Sequence, residues 1–351
     1  MCEAQGGDAE GLAAAPRRIE NPAVDPIRLE PVDDITITTL VDNVYDALLI
    51  GDKETGRTSF SAGHVEAPQF ESGRTHVGLM AEHGFSALVT VRRGDTTSTL
   101  VFDAGLSPDA MGINADRLGI DFSGVMAIVL SHGHWDHTGG LTGLAKRRGR
   151  RALPMVIHPG AWARRRLVVP GGDTELLLPT LSRSALESEG FMMVERREPS
   201  LLVDDSVLIT GEVDRTTQFE HGMPPSHQRW DGQHWTHDAK ILDDQALVVR
   251  LRGRGLVVLT GCGHSGAINI VRHAQRLTGV RDLYALVGGL HLNGPTFEPN
   301  IKPTVDALVE LQPKLLVPGH CTGWRAQNAL ATALPAAYVA PSSGSSYRMV
   351  A

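Results

Sequence analysis

The sequence predicts an α/β fold: a four-layer αβ/βα sandwich with two β-sheets face to face and helices outside. Three observations predict it. Short, β-branched apolar runs alternate with helical stretches in both halves of the chain, the pattern of layered α/β folds. Histidines recur where those runs end: His132, His134 and His137 in the first half, His264, His291 and His320 in the second. Two stacked sheets bring these ends to one edge, whereas a single doubly wound sheet would scatter the second-half histidines.

The elements follow in order. Residues 34–41 (DITITTLV) alternate polar and apolar side chains and read as the first strand, which ends in Asp42-Asn43. Residues 51–73 are polar, Gly-rich and aperiodic, and so form a long loop or insertion. Glu82-His83-Gly84-Phe85-Ser86 leads into a second strand over 87–91, and residues 99–102 make a third that closes on Asp103-Ala104-Gly105. A helix with Leu118 near its end precedes the apolar run 125–130, a buried strand.

After Gly140 a helix runs to about Arg148, then short strands follow over 155–157, 191–194 and 207–210. Residues 216–240 hold four histidines, two tryptophans and two prolines with neither period. So long an aperiodic stretch is uncommon in a compact domain and reads as a lid or pocket wall. The second half gives strands over 245–251, 255–259, 283–287 and 315–317. Helices run from 266 to about Leu277, over 302–311 and from about Trp324, and a Ser-rich stretch over 342–346 closes the chain.

With 351 residues, 42% of them hydrophobic, the chain can bury a large core. Residues 1–33 read as a disordered tail and 34–351 as one domain. No apolar stretch approaches the ~20 residues that span a bilayer, and the N-terminus lacks the apolar core of a signal peptide. Three cysteines without a disulfide framework point to a reducing cytoplasm. The net charge of −7 argues against broad nucleic-acid affinity, which phosphate contacts dominate. Two basic runs, Lys146 to Arg151 and Arg164 to Arg166, read as solvated helix ends whose cations complement the dipole, or else as a phosphate-steering patch.

The stretch Ser131-His132-Gly133-His134-Trp135-Asp136-His137 concentrates three imidazoles and a carboxylate within six residues, just past a buried strand. Open α/β sheets place their sites at that end of a strand, and imidazole with carboxylate suits zinc, iron or manganese. His132 and His134 can share one ion, while Asp136 and His137 turn towards a second. No Gly-x-Ser-x-Gly elbow or Walker A loop is present, so serine hydrolysis and ATP chemistry lack support.

This His-x-His-x-Asp-His pattern, preceded by Phe102-Asp103-Ala104-Gly105, resembles the metallo-β-lactamase fold superfamily. LVDN (40–43), EHGFS (82–86), LSHGHWDHTGGL (130–141), TGCGHSGAIN (260–269), VGGLHL (287–292) and PGHCTG (318–323) are similar to one branch of it. That branch is named for a dihydropterin–ribofuranosylaminobenzene phosphate synthase. The likeness runs from residue 34 to about residue 340, leaving out the tail and the 51–73 insertion.

The resemblance implies the four-layer sandwich and a dinuclear site, commonly two zinc ions per chain, with iron or manganese as alternatives. His132, His134 and His264 would hold the first ion, and Asp136, His137 and His320 the second. Cys262 stands where many members carry a bridging aspartate, either as a thiolate ligand or as a small buried thiol. His291 is a further ligand or an acid that contacts substrate. His83 belongs to the pocket, Asp103 braces the 131–137 loop, and His158 is structural.

The expected activity is metal-dependent hydrolysis by metal-held hydroxide, with Asp136 orienting the nucleophile. The expected substrate is a small anion, phosphoester ahead of lactone or thioester, with no nucleic-acid or membrane partner. Two alternatives remain: a synthase-type transferase that releases diphosphate, and an iron-loaded redox or non-catalytic binding protein.

Overall fold

The structure, a computed structural model, describes residues 17–18, 25–60, 62–149, 151–168 and 175–351. The first half supplies β1 (Asp34–Val41), β2 (Ser86–Arg93), β3 (Thr96–Phe102), α1 (Ala110–Leu118), β4 (Val125–Val129), α2 (Leu141–Arg148), β5 (Leu153–Ile157) and β6 (Phe191–Glu195). The second supplies β7 (Ser200–Leu202), β8 (Val207–Ile209), β9 (Leu247–Leu251), β10 (Gly255–Thr260), α3 (Ala267–Thr278), β11 (Leu283–Gly289), α4 (Ile301–Leu311), β12 (Leu315–Gly319), α5 (Trp324–Ala333) and β13 (Ser346–Val350).

One sheet has the order β6-β5-β4-β3-β2-β1-β13, with Thr55–Gly56 on its outer edge. The other runs β7-β8-β9-β10-β11-β12, with Arg17–Arg18 beside β7. Strands β3 to β6 are parallel to one another, as are β10 to β12, so their carboxyl ends gather on one side.

Strand alternation builds the layers. Along β10, Val257 and Leu259 face the other sheet and pack with Ile37, Val89, Leu100 and Val129. Leu256 and Val258 turn the other way, onto Ile268 and Val271 of α3 and Leu308 of α4. On the far side, Ile128, Met155 and Val101 pack on Met111 of α1 and Leu144 of α2. Helix, sheet, sheet, helix is the result, and the expected αβ/βα sandwich is the fold.

Five readings change or gain detail. The Ser-rich close of the chain leads into β13, which pairs antiparallel with β1 from Thr38↔Ser346 to Asp34↔Val350. Its period of two, Tyr347 and Met349 buried and Arg348 and Val350 outward, spans only five residues and hides behind the serines. The tail expected over 1–33 falls partly outside the described residues, but residues 25–33 are packed: Ile27 and Leu29 are buried, and Ile27 N–H donates to the Leu277 carbonyl at the end of α3.

The insertion over 51–73 contains Thr55–Gly56 and the hairpin strand His64–Glu66, paired with Arg74–His76. The stretch 216–240 carries the hairpin His227–Trp230/Trp235–His237, which joins Arg165–Val168 and Glu175–Leu177 in a four-stranded sheet. Arg165 is therefore a strand residue, not a solvated helix end. It is buried, with Nε 2.8 Å from Asp238 Oδ2 and its other nitrogens on Asp243. The run at 146–148 does end a helix, as read. Among the described residues no helix is long and apolar enough to cross a membrane.

Tyr347→Ala removes a wholly buried ring from the inter-sheet core, so it is expected to cost about 3–5 kcal/mol in urea unfolding. A loss below about 1 kcal/mol would detach β13 from the cooperative core.

Candidate metal centre

Every side chain of the centre leaves the carboxyl end of a strand. Past β4, residues 131–134 form a loop and Trp135–Thr138 a single helical turn, which sets Asp136 and His137 one step along from His132 and His134. Cys262 and His264 follow β10, His291 follows β11 and His320 follows β12. The loops from the two sheets touch at Gly261, where a Cβ would collide with Ser131 Oγ.

Two donor sets converge there. His132 Nε2, His134 Nδ1 and His264 Nε2 lie 3.0, 3.1 and 3.2 Å apart. Beside them, Cys262 Sγ is 3.2 Å from both His137 Nε2 and His320 Nε2. Asp136 Oδ2 completes the second set, 3.5 Å from His320 Nε2 and 3.7 Å from His137 Nε2. All six residues expected at the centre are thus together, three in each set, and Cys262 joins the second. His291 stands against His264, ring centroids 4.3 Å apart, and groups with Cys262 and His264.

Hydrogen bonds on the outer side of the rings set which nitrogen faces inward. Asp103 Oδ2 accepts from His137 Nδ1 at 2.7 Å, leaving the Nε2 lone pair for the second set. The same oxygen accepts from Ser131 Oγ at 2.7 Å, and that hydroxyl lies 2.8 Å from His132 Nδ1. Asn43 Oδ1 accepts from His320 Nδ1 at 3.1 Å. One carboxylate and one amide therefore orient three of the rings.

Electrostatics favours the ligand-ready forms in the first set. Burial pulls His134 down to about 3. Burial, then neighbouring imidazoles, hold His132 and His264 well below the ordinary histidine range. His132 spends its N–H on Ser131, so its Nε2 meets the other two rings as a bare lone pair. A cation at that point would take a lone pair from each of the three rings. Burial opposes charge on Asp136, yet His137 and His320 hold its carboxyl well below the usual range. Burial likewise opposes charge on His137, but Asp103 and Asp136 push it up to about 9. Three neutral imidazoles beside a carboxylate, two imidazoles and a thiol suit a pair of divalent cations.

The surroundings explain residues that the motifs alone do not. Asp243 Oδ2 accepts from Gly133 N at 2.9 Å while held by Arg165, so the small sheet braces the 131–137 loop. His83 is half-exposed, its Nδ1 taking a hydrogen bond from Asn43 and its Nε2 3.7 Å from Asp136. His158 lies in a separate contact: its Nδ1 accepts from Gly160 N and its Nε2 is 3.2 Å from Glu212. Sequence reasoning missed Asn43, Ser131, Arg165 and Asp243. The signals were weak: Asn43 closes the first strand, and Ser131 begins the histidine loop.

Asp103→Asn replaces the acceptor of His137 with an amide. Metal affinity is expected to fall about 10–100-fold by chelator competition, with circular dichroism unchanged; native affinity would remove Asp103 from the orienting role. For metal-free protein the sign follows from linkage. His132, His134 and His264 stay neutral when folded and charge when unfolded, so stability falls as pH drops from about 6.5. His137 has the opposite sign: its contribution is complete below about 6.5 and is lost as pH rises towards 9. Urea midpoints in excess chelator should therefore peak near pH 6.5, and a midpoint that climbs steadily on acidification would contradict this.

Comparison with known proteins agrees with the fold and the motif. The model of the metallo-beta-lactamase superfamily matches residues 81–230. A 7,8-dihydropterin-6-methyl-4-(beta-D-ribofuranosyl)-aminobenzene-5'-phosphate synthase of Methanocaldococcus jannaschii is 27% identical over 252 residues, covering 71% of this chain and 83% of that protein. An uncharacterized protein of the same organism is 29% identical over 255 residues, covering 71% and 87%. A solved structure described as a metal-dependent hydrolase of the beta-lactamase superfamily superposes with a TM-score of 0.65 at 23% identity, over 90% of this chain and 99% of that one. Sandwich, histidine loop and matches together make this chain similar to the metallo-beta-lactamase superfamily.

Proposed function

We propose that the chain is a metal-dependent hydrolase acting on a small anionic substrate, with phosphoester ahead of lactone or thioester. The observation that carries this reading is the convergence of two donor sets at one sheet edge, within 3.0–3.7 Å. His132, His134 and His264 would hold one divalent ion, and Asp136, His137 and His320 with Cys262 the other. Zinc is the first choice because the second set holds a cysteine, whose thiol zinc would bind as the thiolate. Such ions, when bound, supply Lewis acidity and a water that ionises near neutral pH.

The chain's own groups do the rest. Asp136 is buried, with one oxygen facing His137 and His320, which leaves its carboxylate to orient the attacking water. His291 sits beside His264 with a buried, unpartnered Nδ1, in position to give a proton to the departing group. A reducing compartment such as the cytoplasm suits a centre built around the free thiol of Cys262.

The relative named as a synthase supports a second reading, transfer with loss of diphosphate. Both reactions need a developing phosphoryl charge stabilised at the same edge, and fold alone does not choose between them.

Zinc-, manganese- and iron-loaded protein assayed on phosphomonoesters, phosphodiesters, lactones and thioesters tests the first reading. His134→Ala should lower metal content and cut kcat/KM about a thousandfold, the loss of several kcal/mol of charge stabilisation; full metal and full rate in that variant would overturn it. Mass spectrometry after incubating a dihydropterin methyl diphosphate with a ribofuranosylaminobenzene phosphate tests the second, with a condensed product expected if it holds.

A further inference from the structure

The hairpin His227–Trp230/Trp235–His237 carries an imidazole to the edge of the centre. In the four-stranded sheet Arg165 pairs with Arg229 and Leu167 with His227, so His227, Arg229 and Arg165 share one face. That face points inward, because Arg165 is buried on Asp243, whose other contact is Gly133 of the histidine loop. Burial, then His291 and Arg165, pull His227 down to about 4.

Two buried nitrogens in this wall have no partner: His227 Nδ1 and His291 Nδ1. An unpaired buried polar group is costly, and a ligand that accepts from both would remove that cost. The neighbouring carboxylates are committed elsewhere. Asp238 and Asp243 hold Arg165, and Glu220 accepts from Ile268 N and Asn269 N at the start of α3. His237 is committed too, with Nε2 2.8 Å from the Met223 carbonyl. What remains open on these two rings is a nitrogen that can carry a hydrogen and donate it, the complement of an oxyanion. The cleft between Gly222, His264, His291 and Phe297 opens beside His291.

We propose that His227, with His291, binds a phosphoryl oxyanion of the substrate, which makes the four-stranded sheet the specificity element of the site. The proposal rests on the hydrolase reading for its substrate, but not for its test.

Inorganic phosphate titrated calorimetrically into the zinc-loaded protein provides that test. His227→Ala should weaken phosphate about tenfold, the loss of one hydrogen bond to a charged group, and His227→Gln, which keeps an N–H, should recover part of it. Zinc content and melting temperature should match the native protein. With a phosphomonoester the variant should raise KM by a similar factor and leave kcat within about twofold. Native-like phosphate affinity in His227→Ala, failure of the native protein to bind phosphate, or loss of zinc from the variant would each overturn the proposal. If phosphate binding behaves as expected while no ester is hydrolysed, the oxyanion site stands and the hydrolase reading falls.

Discussion

A carboxylate wholly removed from water costs several kcal/mol unless its oxygens are paired, and Asp103 is such a group. Its two oxygens take Ser131 N, Ser131 Oγ and His137 Nδ1, each at 2.7 Å. Each bond that makes the burial tolerable also fixes part of the centre. Through His137 it sets a ring of the second donor set, and through Ser131 it reaches His132 of the first. The second sheet closes directly over it, because Gly261 allows the 260–264 loop to lie against Ser131 and Asp103. Both halves of the centre therefore depend on one carboxyl group that lies outside both donor sets.

How much of this could be read from sequence follows from the range of each interaction. The 131–137 loop was legible because its four donors are neighbours in sequence and follow an apolar run. The inner strands were legible because each sheet face writes its own alternation into the chain. The contacts that position the donors are different. Arg165 meets Asp243 across 78 positions, and Asn43 meets His320 across 277. Nothing local marks either partner. Arg165 sits in a basic triplet whose other members read as surface, and β13 borrows its pairing from β1, more than 300 residues away. Long-range polar pairing leaves no period to detect.

The second-half candidates lie between these extremes. His264 and His320, each in a turn after a predicted strand, were named through the resemblance, and the sheets bring both to the edge. Cys262 was left open between a ligand and a small buried thiol. Its Sγ lies 3.2 Å from two imidazole nitrogens that face inward, which favours the ligand over a packing role. A thiol in that position makes the second set softer than one of carboxylate and imidazole alone, which favours zinc over manganese.

The backbone shows why the donors meet at one edge rather than along the strands. Asp103, His291 and His320 all have left-handed φ, at 57°, 47° and 48°, a conformation that costs a non-glycine residue about 1–3 kcal/mol. Each is the first or second residue past β3, β11 or β12. A left-handed residue there reverses the chain within one step, so the side chain turns back over the sheet end instead of continuing into solvent. The strands beneath are packed on both faces and cannot relax the turn. The sandwich thus supplies more than a platform: its rigidity holds three strained residues, Asp103 against His137, His291 against His264 and His320 against Cys262, at the edge where the donor sets meet.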